Sequence, residues 1–136
     1  MCLFISLLKF KGYRIEMTVN GEKQSCNSFI AAVANGKYFG GGMKISPYSD
    51  IYDGKLDIVI IQMSKRRKIP GMLLKFLRGK HLELPDTRTY RAESVSIKCF
   101  RNNLVNIDGE LINGLEFKAE IVRGGFKMFV PFKEIL

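Results

Sequence analysis

A mainly β fold, an antiparallel β-sandwich with one short helix, is predicted for this chain by three observations. Apolar and polar residues alternate with a period of two in several short runs, the signature of half-buried strands. Turn dipeptides separate those runs, and a single stretch carries the bounds of a helix.

Tyr13, Ile15, Met17 and Val19 alternate with Arg14, Glu16 and Thr18, which predicts the first strand. Asn20-Gly21 follows, a pair that readily takes the positive backbone angles of a tight hairpin turn. A second strand is expected through Phe29 to Val33. Leu56 to Met63 is a nearly unbroken β-branched run and is expected to lie centrally in a sheet. Pro70 at the start and Gly79 at the end bound a short helix holding Met72, Leu73, Leu74, Phe76 and Leu77. Beyond it, Val95-Ile97-Cys99 and Leu115-Phe117-Ala119-Ile121 alternate with polar residues and predict two further strands. Gly124-Gly125 is expected to turn the chain into a last strand, Phe126 to Phe132, with Pro131 at a strand end or sheet edge.

At 136 residues, with 46% apolar and 26% charged residues, the chain is expected to form one domain, residues 1–136, around one core. The net charge of +9 favours anionic partners: phosphates, acidic lipid surfaces or nucleic acid. Nucleic acid fits least well, because aromatics are not interleaved with the basic residues as a stacking platform needs. Three cysteines without paired spacing read as reduced thiols of a cytoplasmic protein. A single histidine excludes a multi-histidine metal site. Cys2 to Leu8 is apolar but too short to span a bilayer, and it lacks the flanks of a signal peptide. A short helix or an uncovered piece of an interface is the expectation there.

Four features could carry chemistry. Gly40-Gly41-Gly42 lacks the Gly-Lys-Ser/Thr ending and the following helix of a phosphate loop, so a strand bend or bulge is the first reading. Asp50, Asp53 and Asp57 supply the hard oxygens that magnesium or calcium prefers, though Asp-Gly is equally a turn dipeptide. Asp108-Gly109-Glu110 reads first as a hairpin turn between Val105-Asn106-Ile107 and Leu111-Ile112; its carboxylates could also offer a general base to a hydroxyl. The stretch from Lys65 to Lys80 is either an interfacial helix on anionic lipid or a surface helix whose apolar side covers the sandwich. His81 is expected to pack or hydrogen-bond rather than catalyse.

Taken in order, Asn35-Gly36, Gly40-Gly41-Gly42, Ser46-Pro47, Asp53-Gly54, Gly79-Lys80-His81 and Asp108-Gly109-Glu110 resemble the C-terminal half of the soluble diacylglycerol kinase and sphingosine kinase family of lipid kinases. The resemblance runs from about Tyr13 to Pro131. It implies a β-sandwich packed on an N-terminal nucleotide domain, with the active site between the two. It implies that Asp53 holds a structural magnesium through its carboxylate, with main-chain carbonyls of Asp50 and Lys55. It implies that Glu110, with Asp108 beside it, takes the proton from a lipid hydroxyl. ATP would enter through the N-terminal domain, whose Gly-Gly-Asp-Gly-Thr motif does not occur in this sequence. The expected partners are therefore that domain and a lipid substrate, diacylglycerol by default, at a membrane surface visited from the cytoplasm. No nucleic acid is expected, a homodimer stays open, and the chain alone is expected to be inactive. The alternative is a stand-alone, non-catalytic sandwich that binds lipid, metal or a protein.

Overall fold

The structure, a computed structural model, describes residues 11–63 and 65–125. Eight strands, β1 (Tyr13–Val19), β2 (Glu22–Ala34), β3 (Tyr38–Phe39), β4 (Met43–Lys44), β5 (Leu56–Gln62), β6 (Thr87–Ala92), β7 (Ser94–Ile107) and β8 (Glu110–Glu120), accompany one helix, α1 (Ile69–Leu77). Six of the strands form one antiparallel sheet in the order β6-β5-β2-β1-β7-β8, and β3 and β4 pair as a separate ribbon.

The local sequence explains most of these elements. Asn20 (φ 52°) and Gly21 (φ 82°) form the two-residue turn that joins β1 to β2. Both angles lie in the left-handed region that Asn-Gly tolerates. The register then runs from Val19↔Glu22 to Tyr13↔Ser28, which buries Ile15, Met17 and Val19 on one face. Strand β2 begins seven residues earlier than the apolar run suggests. Its first half, from Glu22 to Ser28, is polar in composition and is recruited by the turn and by β1.

Between Ser28 and Ile30 the β2–β5 ladder shifts register. Such a bulge inserts one extra residue and re-aims the side chains beyond it. Cys26 accordingly packs with Ile15, Met17 and Val19, whereas Ile30, Ala32 and Ala34 pack with Met72 and Phe76 of α1. Strand β5 serves both sides. Leu56, Ile58 and Ile60 join the first cluster and Ile61 joins the second, which is why its sequence is apolar without alternation. It lies between β2 and β6, as an interior strand should.

Pro70 occupies the first turn of α1, and the left-handed Gly79 (φ 67°) follows its C-terminal end. Ile69, Met72 and Phe76 face inward. His81 is fully buried just beyond the helix. Its Nε2 lies 2.7 Å from the Ile45 carbonyl and its ring sits 5.1 Å from that of Phe76. The lone histidine therefore pins the end of α1 to the segment after β4. Gly40-Gly41-Gly42 is the turn of the β3–β4 ribbon, with φ of 53° at Gly40 and 98° at Gly42.

Strand β6 passes into β7 through Glu93 alone, and Ile121 N–H donates to the Glu93 carbonyl at 2.8 Å just past the end of β8. That bond extends the β7–β8 ladder by one residue, and the sheet curls around a cluster that includes Ile15, Met17, Ile58, Ile60, Ala92 and Val95, with Cys26 and Phe117 packed against it. Cys99 is buried and Cys26 half-buried, both as free thiols. Burial pushes the Cys26 thiol above its ordinary range, while the charge of Arg88 pulls it the other way. The expected segments Cys2 to Leu8 and Phe126 to Phe132 lie outside the described residues. Strand β6 had no period-two warning: Thr87-Arg88-Thr89-Tyr90-Arg91-Ala92 is polar, and it forms by pairing with the buried β5.

Candidate functional site

The two acidic turns stand at opposite ends of the β7–β8 hairpin. Asp57 at the start of β5 pairs with Ala34 at the end of β2. Asn20 in the β1–β2 turn donates to the Arg91 carbonyl at 3.1 Å, so the start of β5 and the end of β6 lie beside that turn and the start of β7. The Asp50–Lys55 loop therefore stands by Glu93 and Arg123 at the open end of the β7–β8 hairpin, and the Asp108-Gly109 turn closes the other end. No hydrogen bond or ion pair among the described residues joins Asp53 to Glu110.

The Asp50–Lys55 loop is closely braced. The Asp50 side chain accepts the Tyr52 N–H at 3.0 Å and the Asp50 carbonyl accepts the Asp53 N–H at 3.3 Å. Asp53 Oδ1 accepts the Lys55 N–H at 2.8 Å, and its Oδ2 takes a hydrogen bond from Arg91 Nη2. Arg91 Nε lies 3.3 Å from Asp57 Oδ1. Gly54 has φ 68°, a backbone conformation that side chains rarely adopt, and the Arg123 side chain lies over it, with Nε 2.8 Å from where a Cβ would stand. Arg123 itself pairs with Glu93 at 2.6 Å.

Two carboxylates thus share one guanidinium, which leaves a net negative charge, and Asp57 Oδ2 is buried without a partner. Carboxylate and carbonyl oxygens are the donors a hard cation takes, but both Asp53 oxygens already accept hydrogen bonds, and among the described residues no three His, Cys, Asp or Glu side chains group to hold a metal ion. Sequence reasoning found the acids and missed Arg91. The guanidinium is 34 positions past Asp57, and only the β5–β6 register (Asp57↔Arg91) brings it there.

The second turn is built differently. Ile107 pairs with Glu110 across Asp108 (φ 49°) and Gly109 (φ 103°), a two-residue hairpin. Asn106 Oδ1 accepts the Gly109 N–H at 2.9 Å and fixes the turn. Asp108 and Glu110 are both exposed, and neither side chain is in an ion pair with a described residue. The turn reading and the general-base reading are compatible here, since the hairpin is what holds the carboxylates out.

Fold and site together define a curled antiparallel β domain that carries a braced oxygen-rich loop and, at the far end of the β7–β8 hairpin, an exposed carboxylate turn. The chain belongs to the family described as the YegS C-terminal NAD kinase beta sandwich-like domain, whose model matches residues 2–130. A diacylglycerol kinase of Mycobacterium tuberculosis is 31% identical to it over 102 residues, 75% of this chain and 33% of that protein. A Stenotrophomonas maltophilia protein named "Probable lipid kinase YegS-like" is 32% identical over 106 residues, 76% of this chain and 34% of its own. The chain therefore spans about a third of the length of the curated relatives it matches. A solved chain from Bacillus anthracis strain Sterne, described as a diacylglycerol kinase, superimposes with a TM-score of 0.64 at 19% identity, over 90% of this chain and 44% of that one. Another from the same strain reaches 0.69 at 23% identity, over 90% and 41%. These two share the fold.

Proposed function

We propose that this chain is the C-terminal, base-bearing domain of an ATP-dependent lipid kinase. The observation that supports it most is the family match over residues 2–130, which includes the Asp108-Gly109-Glu110 turn. Phosphoryl transfer asks the protein mainly to position the nucleophile and to offset phosphate charge. Glu110 is suited to the first task. An exposed carboxylate on a fixed hairpin can accept the proton of a lipid hydroxyl as that oxygen attacks phosphorus, and Asp108 raises the local negative potential beside it.

The second task falls to a nucleotide-binding domain and its bound ATP with magnesium, which this reading assigns to a partner segment. Asp53, with the Asp50 and Lys55 carbonyls, would hold a structural magnesium whose contribution is charge balance in the loop. Arg91 already performs part of that balance from the protein side. Diacylglycerol is the default lipid, because relatives at 31% identity carry that name.

The test is phosphatidic acid formation from ATP and diacylglycerol, measured for the pure chain and for a protein in which it is joined to a nucleotide-binding domain. No product from the chain alone and turnover by the joined protein are expected. Turnover by the chain alone would overturn this division of labour, and no turnover by a folded joined protein would favour the non-catalytic reading.

A further inference from the structure

The net charge of this chain is not spread over its surface. Residues 35–49 and 65–80 contain nine of its 22 Lys and Arg residues and none of its 13 Asp and Glu residues. The remaining 13 cations balance the 13 acids, so the two segments carry a charge equal to the whole net +9. They are separated in sequence but packed together in the fold. Met43 and Ile45 cluster with Met72 and Phe76 of α1, and a Cβ at Gly79 would stand 3.1 Å from Lys44 Cβ.

Lys37, Lys44, Lys65, Arg67, Lys68, Lys75, Arg78 and Lys80 are all exposed, and none is ion-paired with a described residue. Apolar side chains stand among them. Leu74 is 48% exposed and Leu77 56%, on the side of α1 turned away from Ile69, Met72 and Phe76, and Tyr38 is 62% exposed on the adjoining ribbon.

We propose that this face docks on an anionic lipid bilayer. Cations without acids, mixed with exposed leucines and a tyrosine on a short amphipathic element, match the charge and the apolar boundary of such a surface together. A nucleic acid would satisfy the cations and leave Leu74 and Leu77 in water. Moreover, Lys44 Nζ already lies 5.7 Å from the centre of the Tyr38 ring, over the face a base would stack on. The proposal takes its biological sense from the lipid-kinase reading and names the surface by which the domain reaches its lipid.

The experiment is co-sedimentation of the chain with vesicles of phosphatidylcholine alone and with about a third phosphatidylglycerol, at two salt concentrations. Binding to the anionic vesicles, weakened by salt, is expected, with little binding to the neutral ones. The combined variant Lys75→Gln, Arg78→Gln, Lys80→Gln should lose roughly fivefold per charge, about 100-fold in all, with an unchanged melting curve. The same exchange at Lys11, Lys98 and Lys118 should cost less than about fivefold in all, since those charges lie off this face. Leu74→Ser with Leu77→Ser should weaken binding and leave its salt dependence in place. Equal losses in the two lysine and arginine sets, equal binding to neutral vesicles, or tighter binding of duplex DNA or RNA than of anionic vesicles would each overturn the proposal. The vesicles hold neither ATP nor diacylglycerol, so failure here counts against the docking surface and not against the kinase reading.

Discussion

Two Asp-Gly turns stand at opposite ends of the β7–β8 hairpin, and they use their carboxylates in opposite ways. At Asp53-Gly54 the acid is tied down by the Lys55 N–H and by Arg91, with Asp57 beside it and Arg123 against the glycine. At Asp108-Gly109 the turn is closed by Asn106, and the flanking acids point into water. The lesson is that the dipeptide supplies only the bend. Its surroundings decide whether the acid beside it serves structure or remains available for chemistry.

The difference can be tested by removing charge from each turn in the chain joined to a nucleotide-binding domain. The largest effect is expected at Glu110→Gln, which keeps shape and removes the proposed base. It should lower kcat by about 10²–10⁴-fold and shift stability by no more than about 0.5 kcal/mol. Parallel loss of melting temperature and activity would instead make Glu110 a structural residue like Asp53.

In the braced loop the order reverses, with stability moving more than chemistry. Arg91→Ala leaves Asp53 and the buried Asp57 facing each other without a counter-charge. It should cost about 2 kcal/mol, less than the roughly 3–5 kcal/mol of a fully buried pair because Arg91 is half exposed. Millimolar magnesium should raise the melting temperature of Arg91→Ala more than that of the wild type, since the metal would replace the lost charge. Asp53→Ala should cost about 1–2 kcal/mol and abolish that magnesium response. An Asp53→Ala variant that still responds to magnesium would place the metal elsewhere.

The smallest effect is expected at Asp108→Asn. Asn tolerates the left-handed backbone at φ 49° as well as Asp does, so stability should stay within about 0.5 kcal/mol by chemical denaturation. A larger loss would show that the Asp108 carboxylate braces its turn after all.

How far the sequence reaches differs between these regions. The Asn20-Gly21 and Asp108-Gly109 hairpins, the α1 bounds at Pro70 and Gly79, and the buried β5 could be read directly, because each depends on backbone preference or periodicity within a few residues. The first half of β2 and all of β6 could not. Their residues are polar, and they become strands because β1 and β5 offer unpaired edges. The candidate carboxylates were visible as a list, while the roles of Asp53 and Asp57 as partners of Arg91 were not.

By itself the sequence determined the mainly β character, the turns, the single helix, the ordered motifs of the family and the total charge. The tertiary structure alone decided that Arg91 meets Asp53 across 38 positions, that His81 meets Ile45 across 36, and that Arg123 lies against Gly54. It also decided that the two acid-free basic segments share a face. The physical reason is the same in each case. Periodicity and turn propensity are local, whereas contacts across dozens of residues follow from strand register and sheet curl, which emerge once the core is buried.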